Sequence, residues 1–449
     1  MFKLSVLTTL LCVCSLSYAD TIEEQQQINE LEQQVSKLKD AVEELMDKQK
    51  DLKQAHVLKN SPDITAEAPI QATTRPGWIT NPFTQTQIKF YGSFRIHTTY
   101  DTAGSSAGTT DVFNPTNRVP LNSSNPTKGS LNVTAATTVL GVELIQPTIY
   151  GDLLANFEGD FMSNNAMRVN GSGAFRVRHA YVEWGNWLVG QTNSPFISNE
   201  TTPATVDALG PMGSSGSRVV QARYTKAISE NQNIAVALEG GDVDSFAGVR
   251  QTNGGGRLPG FAAKYDYAFP NQKGRLQLYG LVHENRVSTN NNDDVEKWGW
   301  GFGIGTRFNL TPKDTLFIQH YHIKGDNRYI LYAGPNPAYV VVTDADGKYM
   351  INRSEYNTFL MGYVHLWTPK WRSSLIGGTV WYRDSTPYAK ALASNSANNK
   401  RVYNIVGNSF FTPVRNFDLG MEYTYGQRET FTGEKGDYSR INFLMRYNF

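Results

Sequence analysis

The mature chain has no cysteine. Both cysteines of the 449-residue sequence, Cys12 and Cys14, lie in a leader that is removed on export. No disulfide, thiolate nucleophile or cysteine-ligated metal is then available, and stability rests on hydrogen bonding and packing. A lipid anchor is excluded as well, because Leu11 and Val13 stand where lipidation needs a small residue. Beyond the leader no run approaches the roughly 18 apolar residues of a membrane-spanning helix. The formal net charge is only +1, which with export argues against a nucleic-acid partner. Mean hydropathy is −0.42, but an average cannot register apolar residues hidden in alternation.

What is present begins with the leader. Lys3 precedes an apolar run from Leu4 to Leu16, and Ser17-Tyr18-Ala19 offers small residues to a signal peptidase. Residues 1–19 read as a secretory signal peptide, too short for a transmembrane helix. In residues 20–59 the apolar positions Ile28, Leu31, Val35, Leu38, Val42 and Leu45 alternate at intervals of three and four, and Leu52 follows seven later. This is a heptad seam on a helix otherwise built mostly of Glu, Gln and Lys, and so narrow a stripe needs partner helices. Val and Ile at a with Leu at d favour two chains, whereas the pore inferred below favours three. Residues 60–85, punctuated by Pro62, Pro69, Pro76 and Pro82, read as an extended linker.

Residues 86–449 carry a period of two. Ile88, Phe90, Phe94, Ile96 and Tyr100 alternate with Lys89, Ser93, Arg95, His97 and Asp101, so one strand face is apolar and the other polar. In a soluble sandwich the apolar face meets a second sheet; in a membrane barrel it meets lipid and the polar face lines a lumen. The C-terminus separates these readings. Ile441, Phe443, Met445, Tyr447 and Phe449 occupy every second position, and a terminal strand ending on phenylalanine is what the bacterial barrel-assembly machinery recognises. Strand-like runs between turn residues number about sixteen, the first near residue 94 and the last near 444. Tyr100, Tyr150, Trp184, Trp187, Trp298, Trp367, Trp371 and Tyr425 fall at run ends, as aromatic girdles do. The expected fold is all-β: a 16-stranded antiparallel transmembrane β-barrel at 86–449 with an N-terminal α-helical coiled-coil segment. A lumen of that width holds water unless it is plugged.

Function would sit in that lumen. The basic candidates for its lining are Lys89, Arg95, Arg176, Arg178, Arg223, Lys264, Arg275, Arg307, Arg440 and Arg446, and the acidic ones Asp152, Glu158, Asp160, Asp266 and Glu422. Arg176 and Arg178 are two apart on one strand and project to the same side. That side is not lipid, where an arginine costs about 2–4 kcal/mol at the midplane. Facing water they can hold carboxylates by paired hydrogen bonds, or pair with lumen carboxylates and stiffen the wall. The long connection 194–217 mixes apolar anchors (Phe196, Ile197, Val206, Leu209, Met212) with Glu200 and Asp207. Folded inward it narrows the lumen and sets the two acids against the basic wall; folded outward it is a surface loop or a latch on a neighbouring subunit. No G-x-S-x-G motif occurs. His320 and His322 share one face but give two metal ligands at most. No enzymatic activity, cofactor or metal is expected.

Residues 147–225 resemble the DcaP-like family of trimeric porins. The likeness is carried by Pro147-Thr-Ile-Tyr-Gly-Asp152, Phe157-Glu-Gly-Asp-Phe161, Phe175-Arg-Val-Arg-His-Ala-Tyr181, Leu188-Val-Gly-Gln-Thr192, Gly210-Pro211 and Gln221-Ala-Arg-Tyr-Thr225. It implies a sixteen-stranded homotrimer in the bacterial outer membrane, with the loop after the fifth strand folded into the pore and the coiled coil in the periplasm. It also implies passive diffusion of small anionic solutes, dicarboxylates above all, past an arginine-rich wall that includes Arg176, Arg178 and Arg223. Residues 103–130 and 330–354 depart from the pattern. The partners expected are further copies of the chain, outer-membrane lipid, the assembly machinery and those solutes. The alternative is a structural tether, the coiled coil gripping the cell wall and the barrel serving as its anchor.

Overall fold

The computed structural model describes residues 75–449 apart from 105–112, 114, 125, 164–173, 241–245, 249–252, 255–256, 289–293 and 394–397. The chain divides into two units, Met1–Ala68 and Pro69–Phe449. The described residues of the first are Gln33, Ser36, Lys37 and Asp40, helical and exposed. The leader and the a and d positions of the heptad seam lie outside the described residues. At the end of the expected linker, Ile79–Thr80 pairs antiparallel with Ile88 and Gln87.

Alternation becomes a barrel. Its sixteen strands are β1 Gln87–Ala103, β2 in two pieces (Ser130–Thr134 and Val139–Gln146), β3 Leu153–Ser163, β4 Ala174–Trp184, β5 Trp187–Asn193, β6 Arg218–Ser229, β7 Gln232–Glu239 and β8 Gly260–Phe269. They continue as β9 Gly274–Ser288, β10 Asp294–Asn309, β11 Asp314–Lys324, β12 Glu355–Thr368, β13 Trp371–Tyr382, β14 Asn399–Val414, β15 Phe417–Thr430 and β16 Lys435–Asn448. Each pairs antiparallel with its neighbours in sequence, and β16 pairs with β1, which closes the sheet. Closure removes the free edges that lipid could not hydrogen-bond. Phe449 completes the seam: its N–H and carbonyl exchange hydrogen bonds of 3.1 and 3.2 Å with Gly92, and its ring lies 5.2 Å from that of Phe94.

The two ends of the barrel differ. Trp184–Trp187, Ser229–Gln232, Thr368–Trp371 and Val414–Phe417 are joined by two-residue turns at one end, the periplasmic end of such barrels. Gly185 and Asn416 supply the positive φ that these turns need. The opposite end carries the long connections. All eight aromatics assigned to girdles are exposed on the outer surface. On β16, Phe443, Met445 and Tyr447 face outward, while Asn442 and Leu444 are buried inward.

The largest core lies inside the barrel, not between sheets. Phe196 and Met212 of the connection 194–217, Tyr329, Ile330 and Tyr332 of the connection 325–354, and Tyr279, Tyr321, Tyr356 and Tyr382 of the wall pack as one cluster. Separate from the barrel sheet, Phe246–Gly248, Tyr339–Thr343 and Tyr349–Arg353 form a small three-stranded sheet.

Candidate functional site

The connection 194–217 leaves β5 and turns into the lumen. Its hydrogen bonds run to strands on the far side of the barrel. Glu422 on β15, 1% exposed, accepts from the backbone N–H groups of Val206 (2.7 Å) and Asp207 (3.1 Å). Gln319 on β11 donates to the Thr201 carbonyl (2.6 Å) and the Thr202 hydroxyl (2.7 Å). Asn408 on β14 donates to the Ala204 carbonyl (3.0 Å), and Thr358 on β12 to the Gly213 carbonyl (2.9 Å). These buried side chains stand in for the ladder that an irregular segment lacks.

Glycine makes the seat. A Cβ on Gly362 of β12 would meet the Pro203 ring at 2.8 Å, and one on Gly420 of β15 would meet Val206 at 2.8 Å. One on Gly378 of β13 would strike the Met212 carbonyl. On β10 the alternate residues Gly299, Gly301, Gly303 and Gly305 all face inward, and Phe196 lies against Gly301. The loop therefore rests almost on the backbone of the wall.

A second inward segment stacks on the first. The Leu331 N–H donates to the Ser214 carbonyl at 3.0 Å, the Gly216 N–H to the Tyr329 carbonyl at 2.8 Å, and the Tyr332 hydroxyl to the Gly210 carbonyl at 2.9 Å. The sequence left the lumen wide unless plugged; these two loops fill the part of it lined by β9 to β14. The second loop is latched by a buried charge cluster. Asp326 lies 3.0 Å from His283 Nε2 and 3.1 Å from Arg328 Nε. Burial pushes its carboxyl up, but His283 and the Arg328 charge outweigh that and hold it below the ordinary carboxylate range.

What remains open is a cavity of about 680 Å³ between loop residues 202–210 and the wall formed by β1, β3, β4 and β16. Five guanidiniums line it, from Arg95, Arg176, Arg178, Arg218 and Arg446, against the carboxylates of Glu158, Asp160 and Asp207. Arg176 grips Asp160 with two hydrogen bonds of 2.9 and 2.7 Å. Arg178 bonds Glu158 at 2.6 Å and Asp160 at 2.9 Å. Arg95 and Arg446 are direct cross-strand partners, a placement of like charges that is unfavourable by itself. Asp418, the neighbour of Arg446 on β15, relieves it by accepting a hydrogen bond of 3.1 Å from Arg446 Nε. Arg95 donates to the Ser93 hydroxyl at 2.7 Å. Among the described residues no carboxylate pairs with Arg95 or with Arg218.

The sequence candidates thus divide. Arg95, Arg176, Arg178 and Arg446 converge on the cavity. A bulge places the middle two: the pairing slips between Glu158–His179 and Gly159–Val177, so Arg176, Arg178 and His179 all reach the inside while Phe175, Val177 and Val182 face lipid. Arg275 and Arg307 lie elsewhere, against the loop. Arg275 pairs with Glu200 and, at 3.2 Å, with Asp266; Arg307 reaches the Glu200 carbonyl at 3.4 Å. Glu200 thus meets basic wall residues, but Asp207 is buried at the loop tip and accepts from the Leu209 N–H. Arg223 donates to the Asn193 carbonyl at 3.5 Å, bracing the base of the loop. Lys89 sits near the short-turn mouth, 5.9 Å from the Trp78 ring. His320 and His322 face outward, bonded to the Thr358 carbonyl and to Asn357.

Arg372 and Arg218 are among the lumen cations that the sequence candidates left out. Arg372 follows from alternation on β13 and stacks over Phe410 at 4.5 Å, within reach of Arg446 and Asp418. Arg218 follows an irregular loop, so no strand period could assign its direction.

Comparison with known proteins agrees with this geometry. A family model described as DcaP outer membrane protein matches residues 14–449. The crystal structure of the outer membrane channel DcaP of Acinetobacter baumannii superposes with a TM-score of 0.71 at 28% identity, covering 83% of this chain and 99% of that one. An anion-selective porin from Comamonas acidovorans shares the fold at 11% identity and a TM-score of 0.52, covering 81% of this chain and 100% of that one. Salmonella typhi OmpF, solved with daunomycin, does so at 10% identity and 0.52, covering 81% and 98%. No curated protein matches the sequence.

Proposed function

This chain belongs to the DcaP outer membrane protein family and is an outer-membrane channel, not an enzyme; we propose that it passes small anionic solutes, dicarboxylates among them, by passive diffusion. One observation carries this reading: Arg95 and Arg218 line the same narrow cavity and, among the described residues, are paired with no carboxylate. Arg176 and Arg178, the sharpest pair in the sequence, are already neutralised by Glu158 and Asp160. Two unpaired guanidiniums in one cavity suit a solute with two carboxylates, each held by a planar, two-point contact. Loop 194–217 sets the width of the path in this reading. The working unit is a homotrimer whose heptad seam lies in the periplasm, as the apolar a and d positions require partners.

The test is reversal potential in a salt gradient across planar bilayers. The wild-type channel is expected to prefer anions. Arg95→Ala and Arg218→Ala are each expected to lower the anion-to-cation permeability ratio roughly fivefold, the effect of one unit charge a few ångströms away in water. Cation preference in the wild type, or selectivity unchanged in both variants, would reject the proposal.

A further inference from the structure

The lipid-facing surface is apolar around most of the barrel but not on β11 to β15. There the outward positions change character toward the long-loop rim. Near mid-sheet stand Phe359, Met361 and Ile405, all exposed. Above them come His322, Asn357, Thr379 and Trp381, and above those Arg383, Lys400 and Arg401. The two upper tiers line a cavity of about 960 Å³ on the outer face. Polar rims are common, because an arginine facing lipid is costly at the midplane and nearly free at the interface. A concave, tiered rim asks for more explanation.

The charges in it are sorted by depth. Arg383 pairs with Glu355 at 2.7 Å, yet its side chain is 61% exposed and that of Glu355 only 9%. Arg401 pairs with Glu429 at 3.3 Å, with exposures of 50% and 22%. The carboxylates are the more buried partners of both pairs, and they leave the guanidiniums exposed. Asp384, 60% exposed, is the acid that reaches the surface, and it is held by Lys400 at 3.0 Å. The face offered to the membrane thus presents two exposed guanidiniums over buried carboxylates at the rim, an aromatic and hydrogen-bonding tier below it, and an apolar one below that.

We propose that this face binds a phosphorylated glycolipid of the outer leaflet. Its phosphates lie on Arg383 and Arg401, whose guanidiniums offer paired donors. Its sugar rests on Trp381 with His322, Asn357 and Thr379 as polar partners, and its acyl chains run over Phe359, Met361 and Ile405. The proposal does not depend on which solutes cross the lumen.

The test uses the full-length channel in detergent, with native mass spectrometry counting retained lipid. Three probes are compared: lipid A with both phosphates, dephosphorylated lipid A and phosphatidylglycerol. The bisphosphorylated form is expected to bind tightest, and Arg383→Ala/Arg401→Ala to weaken it roughly thirtyfold, given the usual contribution of a basic residue near an anionic surface. Heat stability of the variant barrel in detergent checks its fold; should it misfold, the ranking of the three probes on the wild type decides alone. Equal binding of the three probes, or unchanged affinity of a folded variant, would overturn the proposal. A single thiol placed by Thr379→Cys, in a mature chain with no other cysteine, tests the rival occupant. Disulfide-linked copies in native membranes would make this face a subunit contact and also overturn it.

Discussion

Replacing Glu422 by glutamine isolates what holds the loop in the lumen. The two side chains have the same shape, so no cavity is made. Every contact of Glu422 is with a donor: Oε2 accepts from Val206 N (2.7 Å) and Asn408 Nδ2 (3.2 Å), and Oε1 from Asp207 N (3.1 Å) and Asn442 Nδ2 (3.1 Å). A glutamine must turn its NH₂ toward one of these pairs, whichever way it is flipped. The Asn408 or Asn442 amide can rotate to present its oxygen, but a backbone N–H cannot. At least one loop N–H is then left buried opposite a donor. The loss is a hydrogen bond to a charged group, about 1.5–3 kcal/mol. This raises the undocked population of residues 203–209 by roughly ten- to 150-fold. The rest of the loop stays anchored through Gln319, Thr358 and the Ser215–Tyr321 contact of 2.9 Å. Single-channel recordings in planar bilayers should therefore show Glu422→Gln with noisier and larger open-channel currents and an unaltered folded barrel. Currents identical to wild type in noise and amplitude would refute the claim that Glu422 pins the constriction.

Gly420→Val should act on the same contact from the other side. Its side chain needs space that Val206 now occupies, with overpacking of about 1–3 kcal/mol, and conductance should rise while barrel melting changes little. The Asp326 latch gives a pH dependence of fixed sign. A carboxyl held below its ordinary value in the folded state stabilises the protein above its unfolded value, about pH 4, and this is lost as pH falls through the lower folded value. Limited proteolysis should find residues 325–338 protected at pH 7 and 5 and released only below about pH 4; release at pH 6 would contradict the latch. Deletion of Thr21–Lys59 distinguishes the two roles of the heptad seam: loss of trimers on native gels supports assembly, whereas intact trimers with lost envelope attachment support tethering.

Much of this molecule was legible beforehand because lipid imposes a strict rule. Inward and outward residues must alternate, so β1 and β16 announced their faces, Phe449 the end of an outer-membrane barrel and eight aromatics their girdles. The loop 194–217 was legible as an unusual segment but not in its direction, since apolar anchors suit an inward fold and a subunit latch equally. A further signal was present and unread: the stripe Gly299, Gly301, Gly303 and Gly305, which only makes sense where something lies flat on the wall.

Charge was the harder quantity. Alternation says that Arg176 and Arg178 face water, but not whether a carboxylate meets them. Asp160 is sixteen residues from Arg176 and becomes its partner only through the β3–β4 register and the bulge beside it. The sequence by itself determined the barrel and a strand number of about sixteen, because those follow from a local period of two broken by turn residues. Tertiary structure alone decided which guanidiniums stay unpaired, that Arg218 joins them, and that two loops fill part of the lumen. Those depend on contacts between residues far apart in the chain, and no local period encodes them.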